Sequence, residues 1–186
     1  LLSAEVIATL LNAERAEIPV CPAPDLDAEI WNKVDAIVAA TPSLRTALVI
    51  GDTPDACDPR YLSLTEQLRA VDGDVLTAAL PGPDDRAALF HTGGTTGVPK
   101  LVPQTHRNQI HAAWCLSQMF DLSETDVGLN GFPLFHVGGT STVGLSVLAA
   151  AGHLVILTAD GFRNPTVVKN IWSLVAHFGA TMMGGV

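Results

Sequence analysis

The chain has 186 residues, enough for one ordinary domain with a sizeable hydrophobic core. A hydrophobic fraction of 48% with only 16% charged residues excludes an intrinsically disordered protein. The formal net charge of −9 argues against a nucleic-acid-binding surface, so nucleic acid is not an expected partner.

Helices and strands alternate at the start of the chain. Ser3 is a good N-cap for a predicted helix over residues 3–15, and a second, amphipathic helix is predicted over 27–40. Short strands are predicted over 17–21 and 46–50. This α-β-α-β order favours a parallel sheet.

Residues 51–86 differ in composition, because aspartates are interspersed there with proline and glycine. One helix is predicted near 63–71, and the remainder is predicted to be surface loop. Calcium loops need a tighter oxygen spacing and a closing glutamate, which this stretch lacks. We therefore expect solvated carboxylates at Asp52, Asp55, Asp58, Asp72, Asp74, Asp84 and Asp85.

Two strands and a helix follow in the middle of the chain. The strands are predicted over 87–92 and 100–104, and Thr105 can cap a helix over 106–120. On that helix His106 and His111 are five residues apart and do not share a face, so no metal site is predicted there.

The loop between these strands has the composition of an anion-binding site. Seven residues from Thr92 to Val98 include three glycines and three threonines, and Pro99 and Lys100 follow. Glycine lets backbone N–H groups approach a ligand, threonine adds hydroxyl donors, and lysine adds a charge that suits phosphate. The combination predicts a cradle for a polyphosphate.

Two familiar phosphate patterns do not fit this loop. In G-x-x-x-x-G-K-[ST] a glycine precedes the lysine, whereas here Pro99 precedes Lys100 and Leu101 follows it. The dinucleotide pattern G-x-G-x-x-G also fails. A glycine- and threonine-rich hairpin turn without a ligand is the alternative interpretation.

Charge is distributed unevenly along the chain. Residues 1–86 hold 15 acidic and 6 basic residues, whereas residues 87–186 hold 4 of each. The part that carries the loop is therefore the less anionic one, as a phosphate site requires. A larger exposed surface in residues 1–86 would explain the same difference.

The last third of the chain again alternates strands and helices, which favours a second parallel sheet. A strand over 127–132 leads into Pro133-Leu134-Phe135-His136-Val137-Gly138-Gly139. The remaining elements are predicted as a helix over 140–151, a strand over 153–158, a helix over 164–178 and a strand over 180–183.

Cysteine usage and hydropathy indicate a cytoplasmic protein. Cys21, Cys57 and Cys115 form no CxxC pair, as expected for reduced thiols. The most apolar window, 142–159, contains polar residues and a glycine, so we expect no transmembrane segment. The chain begins without Met and stops within an apolar strand, so we expect an internal piece of a longer protein.

The loop resembles the phosphate-loop signature of the AMP-forming acyl-CoA synthetase and ligase superfamily, the adenylate-forming enzymes. The pattern T-[SG]-G-T-T-G-x-P-K stands here as Thr92 to Lys100, with Thr105-His106 downstream. The segment around His136 resembles the next motif of that family. The resemblance is strong from residue 87 onward and looser before it.

The resemblance implies a layered αβαβα architecture with mainly parallel sheets. Residues 1–125 would form part of one α/β subdomain and 126–186 the start of a second. It implies an ATP-dependent carboxylic acid–CoA ligase, of the kind found in fatty acid metabolism, that forms an acyl-adenylate and transfers the acyl group to coenzyme A. His136 would lie in the acyl and adenylate pocket. The β- and γ-phosphates of ATP would contact Thr92, Gly93, Gly94, Thr95, Thr96, Gly97 and Lys100.

Departures from the family pattern limit what the chain can do alone. The motifs that bind adenine, ribose and Mg²⁺, and a late lysine, would all follow residue 186, so no complete catalytic set is expected here. Gly93 stands where serine is commoner in the family. We expect the 186-residue chain to be inactive and to self-associate through an exposed sheet edge or apolar face. An adenylation domain that loads a carrier protein and a non-catalytic nucleotide-binding domain remain alternatives.

Overall fold

The computed structural model describes residues 2–54, 57–71, 73, 76, 78–92 and 100–184. A π-helix spans Gly138–Leu145, and a 3₁₀ turn spans Gly161–Arg163. The strands are β1 (Val20–Pro22), β2 (Ala47–Ile50), β3 (Tyr61–Ser63), β4 (Arg86–His91), β5 (Leu101–Thr105), β6 (Val127–Asn130), β7 (His153–Ile156) and β8 (Met182–Met183). The α-helices are α1 (Ala4–Glu14), α2 (Ala28–Ala39), α3 (Leu64–Ala70), α4 (His106–Met119), α5 (Ser146–Ala149), α6 (Pro165–Lys169) and α7 (Ile171–Phe178).

The chain divides into two compact units. The first comprises Leu1–Leu80 and His91–Leu101, and the second comprises Pro81–Phe90 and Val102–Val186. The division of the whole protein into subdomains at residue 125 stays a prediction.

The first unit is a parallel sheet of order β1-β2-β3 with α1 and α2. The predicted Ser3 cap is present, because its side chain accepts from the Val6 N–H. Asp27, predicted as the first residue of the second helix, is its N-cap and accepts from the Ile30 N–H. The core contains Val34, Ile37, Val38, Leu44, Ala47, Val49 and Tyr61. The parallel sheet predicted for the start of the chain is confirmed.

Strand β3 was not predicted, because residues 51–86 were expected to contain only one helix and surface loop. Tyr61 to Ser63 pairs with β2 in parallel, with Ala47 opposite Tyr61. Three residues carry too little periodicity to identify a strand. The strand forms because it pairs with β2 and because the Tyr61 side chain is buried. The Tyr61 and Trp31 rings pack edge to face at a centroid distance of 5.7 Å.

Tyr61→Phe is expected to lower the free energy of unfolding by about 1 kcal/mol, the usual net contribution of one hydrogen bond. The Tyr61 hydroxyl donates to Oδ1 of Asp35 at 2.5 Å. Burial of the side chain, and to a smaller extent this hydrogen bond, raises the pKa of Tyr61. Asp35 is exposed, so its carboxylate can be hydrated once the donor is gone. Urea unfolding checks the value, and a loss above about 3 kcal/mol would show that the ring also moves.

The second unit contains a parallel sheet of order β7-β6-β8 and most of the two-stranded sheet β4-β5. In the central strand, Leu129 lies opposite Val155 on one side and Met183 on the other. Leu129, Val143 and Val147 are almost completely buried. Parallel strands connected by helices confirm the predicted α/β class with mainly parallel sheets.

Two predicted helices differ in detail from the structure. The helix expected over 140–151 is a π-helix that continues into α5. The helix expected over 164–178 is interrupted at Asn170, whose side-chain Nδ2 donates to the Thr166 carbonyl at 2.8 Å. The Asn170 N–H also donates to the Thr166 carbonyl, at 3.1 Å, so the backbone hydrogen bond is kept at the interruption.

Asp126 links the start of β6 to the approach of β8. Its Oδ1 accepts from the Thr181 hydroxyl at 2.7 Å, and its Oδ2 accepts from the Ser123 N–H at 2.7 Å. The Thr181 hydroxyl, then the Ser123 N–H and hydroxyl, lower the pKa of Asp126. Hydrogen bonds to the ionised form have this effect because they favour the charge.

Asp126→Asn is therefore expected to reduce the loss of stability in acid. Because the folded-state pKa is lowered, the contribution of Asp126 is complete above the pKa of a free aspartate, about 3.9, and is lost as the pH falls through the lower folded-state value. Urea unfolding of both proteins between neutral pH and about pH 3 measures the difference. If the free energy of unfolding depended on pH equally in the two proteins, the assignment of this contribution to Asp126 would be contradicted.

Within the described part of the chain, no helix is both long enough and apolar enough to cross a lipid bilayer.

Candidate functional site

The ends of the predicted phosphate loop are held together by hydrogen bonds. The Thr92 N–H donates to the Lys100 carbonyl at 2.8 Å, and the Lys100 N–H donates to the Thr92 hydroxyl oxygen at 3.2 Å. Both residues are exposed where β4 ends and β5 begins. Thr92 and Lys100 are thus brought together, while Gly93, Gly94, Thr95, Thr96 and Gly97 lie outside the described residues.

Thr92 can serve both the hairpin and a ligand. In its bond to the Lys100 N–H the hydroxyl is the acceptor, so the bond does not use its proton. A phosphate oxygen could therefore accept a hydrogen bond from the Thr92 hydroxyl.

The helix after the loop begins with a capping box, as the prediction for Thr105 requires. The Thr105 hydroxyl accepts from the Asn108 N–H at 3.1 Å, and the Asn108 side chain accepts from the Thr105 N–H at 3.0 Å. Arg107 forms an exposed ion pair with Asp84 at 2.9 Å. Thr105 and Asn108 therefore fix the start of α4, which defines where the second strand of the hairpin ends.

Four residues of α4, at the spacing of one helix face, differ in burial. They are Ile110, Ala113, Trp114 and Ser117. Ala113 and Ser117 are buried, but Ile110 is 68% exposed and Trp114 is 57% exposed. The exposed Ile110 and Trp114 side chains line an open apolar groove of about 570 Å³ together with Leu145 and Leu148.

His136 lies in the second unit, in the segment that follows the carboxyl end of β6. Its side chain is exposed, and its Nδ1 accepts the Gly138 N–H at 3.0 Å. A neutral imidazole that accepts through Nδ1 carries its proton on Nε2. The segment thus presents an N–H donor to solvent at the carboxyl end of a parallel strand, the edge where α/β sheets bind ligands.

Aromatic rings crowd this same edge of the sheet. The Phe132 and Phe162 rings meet edge to face at a centroid distance of 5.5 Å. Gly184, just beyond β8, lies so close to the Phe132 ring that any Cβ there would overlap it. The wall beside the His136 segment is therefore closely packed.

The side chain of Asn130 was missed as part of the site. It lies at the end of β6, is 1% exposed, and bonds to both ends of the segment that carries His136. A buried asparagine at the end of an apolar strand was the available signal, since such a group needs partners. In the described residues, no group of three His, Cys, Asp or Glu side chains could hold a metal ion.

Comparison with known proteins identifies relatives over the whole chain. The family model described as "AMP-binding enzyme" matches residues 1–186. The marinolic acid–CoA ligase of Pseudoalteromonas sp. (strain SANK 73390) is 28% identical over 191 residues, which cover 100% of this chain and 29% of that protein. The oxalate–CoA ligase of Arabidopsis thaliana is 32% identical over 142 residues, covering 76% of this chain and 26% of that protein.

A solved structure shows the same fold. The anthranilate CoA ligase AuaEII, in complex with anthranoyl-AMP, matches 98% of this chain and 33% of its own with a TM-score of 0.81 and 23% identity. The chain spans less than a third of the length of the two curated relatives. The match agrees with the predicted layered α/β architecture.

Proposed function

Because the chain belongs to the AMP-binding enzyme family, we propose that it is the phosphate-loop part of an ATP-dependent carboxylic acid–CoA ligase. The reaction would activate a carboxylic acid as an acyl-adenylate and then transfer the acyl group to the thiol of coenzyme A. The observation that carries the proposal is the Thr92–Lys100 motif with its two ends bonded to each other. The names of the two ligase relatives support the same reaction class.

In this proposal the loop neutralises the leaving pyrophosphate. A carboxylate attacks the α-phosphorus of ATP, the bond to the bridging oxygen breaks, and pyrophosphate departs with its negative charge. Lys100 and Thr92, with Gly93, Gly94, Thr95, Thr96 and Gly97, would hold the β- and γ-phosphates during this step. Positioning and electrostatic stabilisation are the protein's main contributions to such transfers.

His136 is proposed to face the acyl and adenylate groups. Its Nε2–H would donate to an oxygen of the substrate carboxylate or of the adenylate phosphate, which are both acceptors. Mg²⁺ remains part of the proposal through a glutamate that the family resemblance places after residue 186. Among the described residues, no group of three His, Cys, Asp or Glu side chains could hold this ion.

The test is acid-dependent ATP–pyrophosphate exchange by the whole protein. Fatty, aromatic and small dicarboxylic acids form the panel, and coenzyme A or a carrier protein is then offered as acceptor. We expect exchange with at least one acid, thioester formation with coenzyme A, and no acyl-adenylate from the 186-residue chain alone. If the whole protein folds but catalyses no exchange, the non-catalytic alternative is supported. If it transfers the acyl group only to a carrier protein, it is an adenylation domain that loads that carrier.

Self-association of the 186-residue chain stays a prediction with its own measurement. The side chains that line the α4–α5 groove include exposed Ile110, Trp114 and Leu148. Apolar patches of this kind favour association when nothing covers them. Light scattering across a concentration series should show a mass above that of the monomer, whereas a monomer at high concentration would contradict the prediction.

A further inference from the structure

The side chain of Asn130 bridges the two ends of the segment that carries His136. Its Oδ1 accepts from the Phe132 N–H at 3.1 Å, and its Nδ2 donates to the Gly139 carbonyl at 2.9 Å. Asn130 is also the last residue of β6, which is paired on both sides. The amide thus attaches residues 132–139 to the most constrained strand of its sheet.

Within the segment, His136 is held by its neighbours. Its N–H donates to the Pro133 carbonyl at 3.1 Å, and its carbonyl accepts from the N–H groups of Gly139 and Thr140, both at 3.0 Å. The Gly138 N–H holds the ring through Nδ1. The imidazole therefore moves with the segment, and the direction of the segment depends on its attachment to the sheet.

The far attachment point, Gly139, is packed closely against the start of the segment. Any Cβ at Gly139 would overlap the Pro133 carbonyl oxygen, so the backbone there is packed against the start of the segment. Gly139 also lies at the beginning of the π-helix, an element often found at functional sites. Because the Gly139 N–H also donates to the His136 carbonyl, we expect a shift at Gly139 to move the segment that carries His136.

We propose that Asn130 is a positioning residue for His136, which fixes the direction in which the imidazole Nε2–H meets the carboxylate or adenylate of the substrate. The proposal rests on the role given to His136 under the proposed function. Asn130 itself is buried, so in this proposal its effect reaches the reaction through the His136 segment.

The chemistry of the amide makes a selective substitution available. Asn130→Asp keeps the size and keeps an acceptor for the Phe132 N–H, but replaces the donor to the Gly139 carbonyl with an oxygen. Two acceptors then face each other in a buried site, which breaks that attachment. Asn130→Ser is the milder variant, because it introduces no charge and shortens the side chain. Ser117→Ala is the matched control, since Ser117 is equally a buried polar residue of this unit but bonds within α4.

The experiment is a double-mutant cycle in the whole enzyme, with acid-dependent ATP–pyrophosphate exchange as the rate and thermal unfolding as the check on folding. Asn130→Asp and Asn130→Ser should lower kcat about tenfold to a hundredfold, the scale of a small misplacement of a catalytic contact, and leave KM for ATP unchanged. In the His136→Ala background either substitution should change the rate by less than about twofold, because residues that act as a unit are not additive. Ser117→Ala should leave the rate unchanged in both backgrounds.

The proposal is overturned if the Asn130 substitutions lower kcat equally with and without His136, or if they change only KM for ATP. Asn130 would then be a purely structural residue. An inactive wild-type enzyme would refute the proposed function instead. If the Asn130 variants do not fold, ¹⁵N NMR of the wild-type histidines in alkaline buffer decides. The Nε2–H tautomer at His136 supports the geometry, and the Nδ1–H tautomer overturns it.

Discussion

Lys100→Ala in the whole enzyme is expected to lower kcat/KM for ATP–pyrophosphate exchange by about 30- to 900-fold, or about 2–4 kcal/mol of transition-state stabilisation. In the proposed reaction, negative charge accumulates on the departing pyrophosphate. The ammonium of Lys100 is the charged group of the loop motif, and its backbone is bonded to Thr92 at the base of the hairpin. Loss of one preorganised charge-stabilising group typically has an effect of this size.

The matched control is Lys169→Ala, which removes the same charge from the exposed end of α6. It should leave exchange unchanged, so that a general effect of net charge is excluded. Thr92→Val adds a second comparison, since it removes the oxygen that accepts the Lys100 N–H while it preserves shape. Unchanged exchange in Lys100→Ala would remove this lysine from the phosphate site.

Leu129→Ala is expected to lower the free energy of unfolding by about 2–5 kcal/mol. Leu129 is completely buried in β6, between β7 and β8. The lost apolar contacts and the cavity that remains both contribute to the loss. Urea unfolding with the slope monitored separates a change of stability from a change of the unfolded state.

Leu148→Ala provides the comparison for this loss. Leu148 is 55% exposed on α5, so the same atoms are removed with little change in burial. Surface substitutions usually stay within about 0.5 kcal/mol. Similar losses in the two variants would mean that β6 is not the core of the second unit.

Local signals made most of the elements predictable. The sequence predicted N-caps at Ser3 and Thr105 and a helix start at Asp27. A short polar side chain just before a helical pattern of apolar residues is a signal that can be recognised locally. The alternation of strand and helix was sufficient for the parallel sheets. By contrast, Ile110 and Trp114 share a helix face with Ala113 and are nevertheless exposed, because periodicity identifies a face but does not say how far a neighbour covers it.

The candidate site was predictable where it is contiguous in sequence and not where it depends on contacts across the fold. Thr92 and Lys100 belong to one motif, and their mutual hydrogen bonds follow from the hairpin. Asn130 is different, because its significance depends on a carbonyl nine residues away, at Gly139.

The order β7-β6-β8 has a consequence for how the second unit forms during synthesis. Strand β6 pairs with β7 from Val127 to His153, and with β8 from Gly128 to Met182, across 26 and 54 residues of chain. At a synthesis rate of about 5–20 residues per second, one edge of β6 waits about 3–11 s for its second partner. Non-local parallel pairing is slow to nucleate, and an open edge can meet other nascent chains in that interval. The apolar strand that carries Leu129 into the core is therefore also the point at which this unit is most exposed to misassembly before residue 183 has been added.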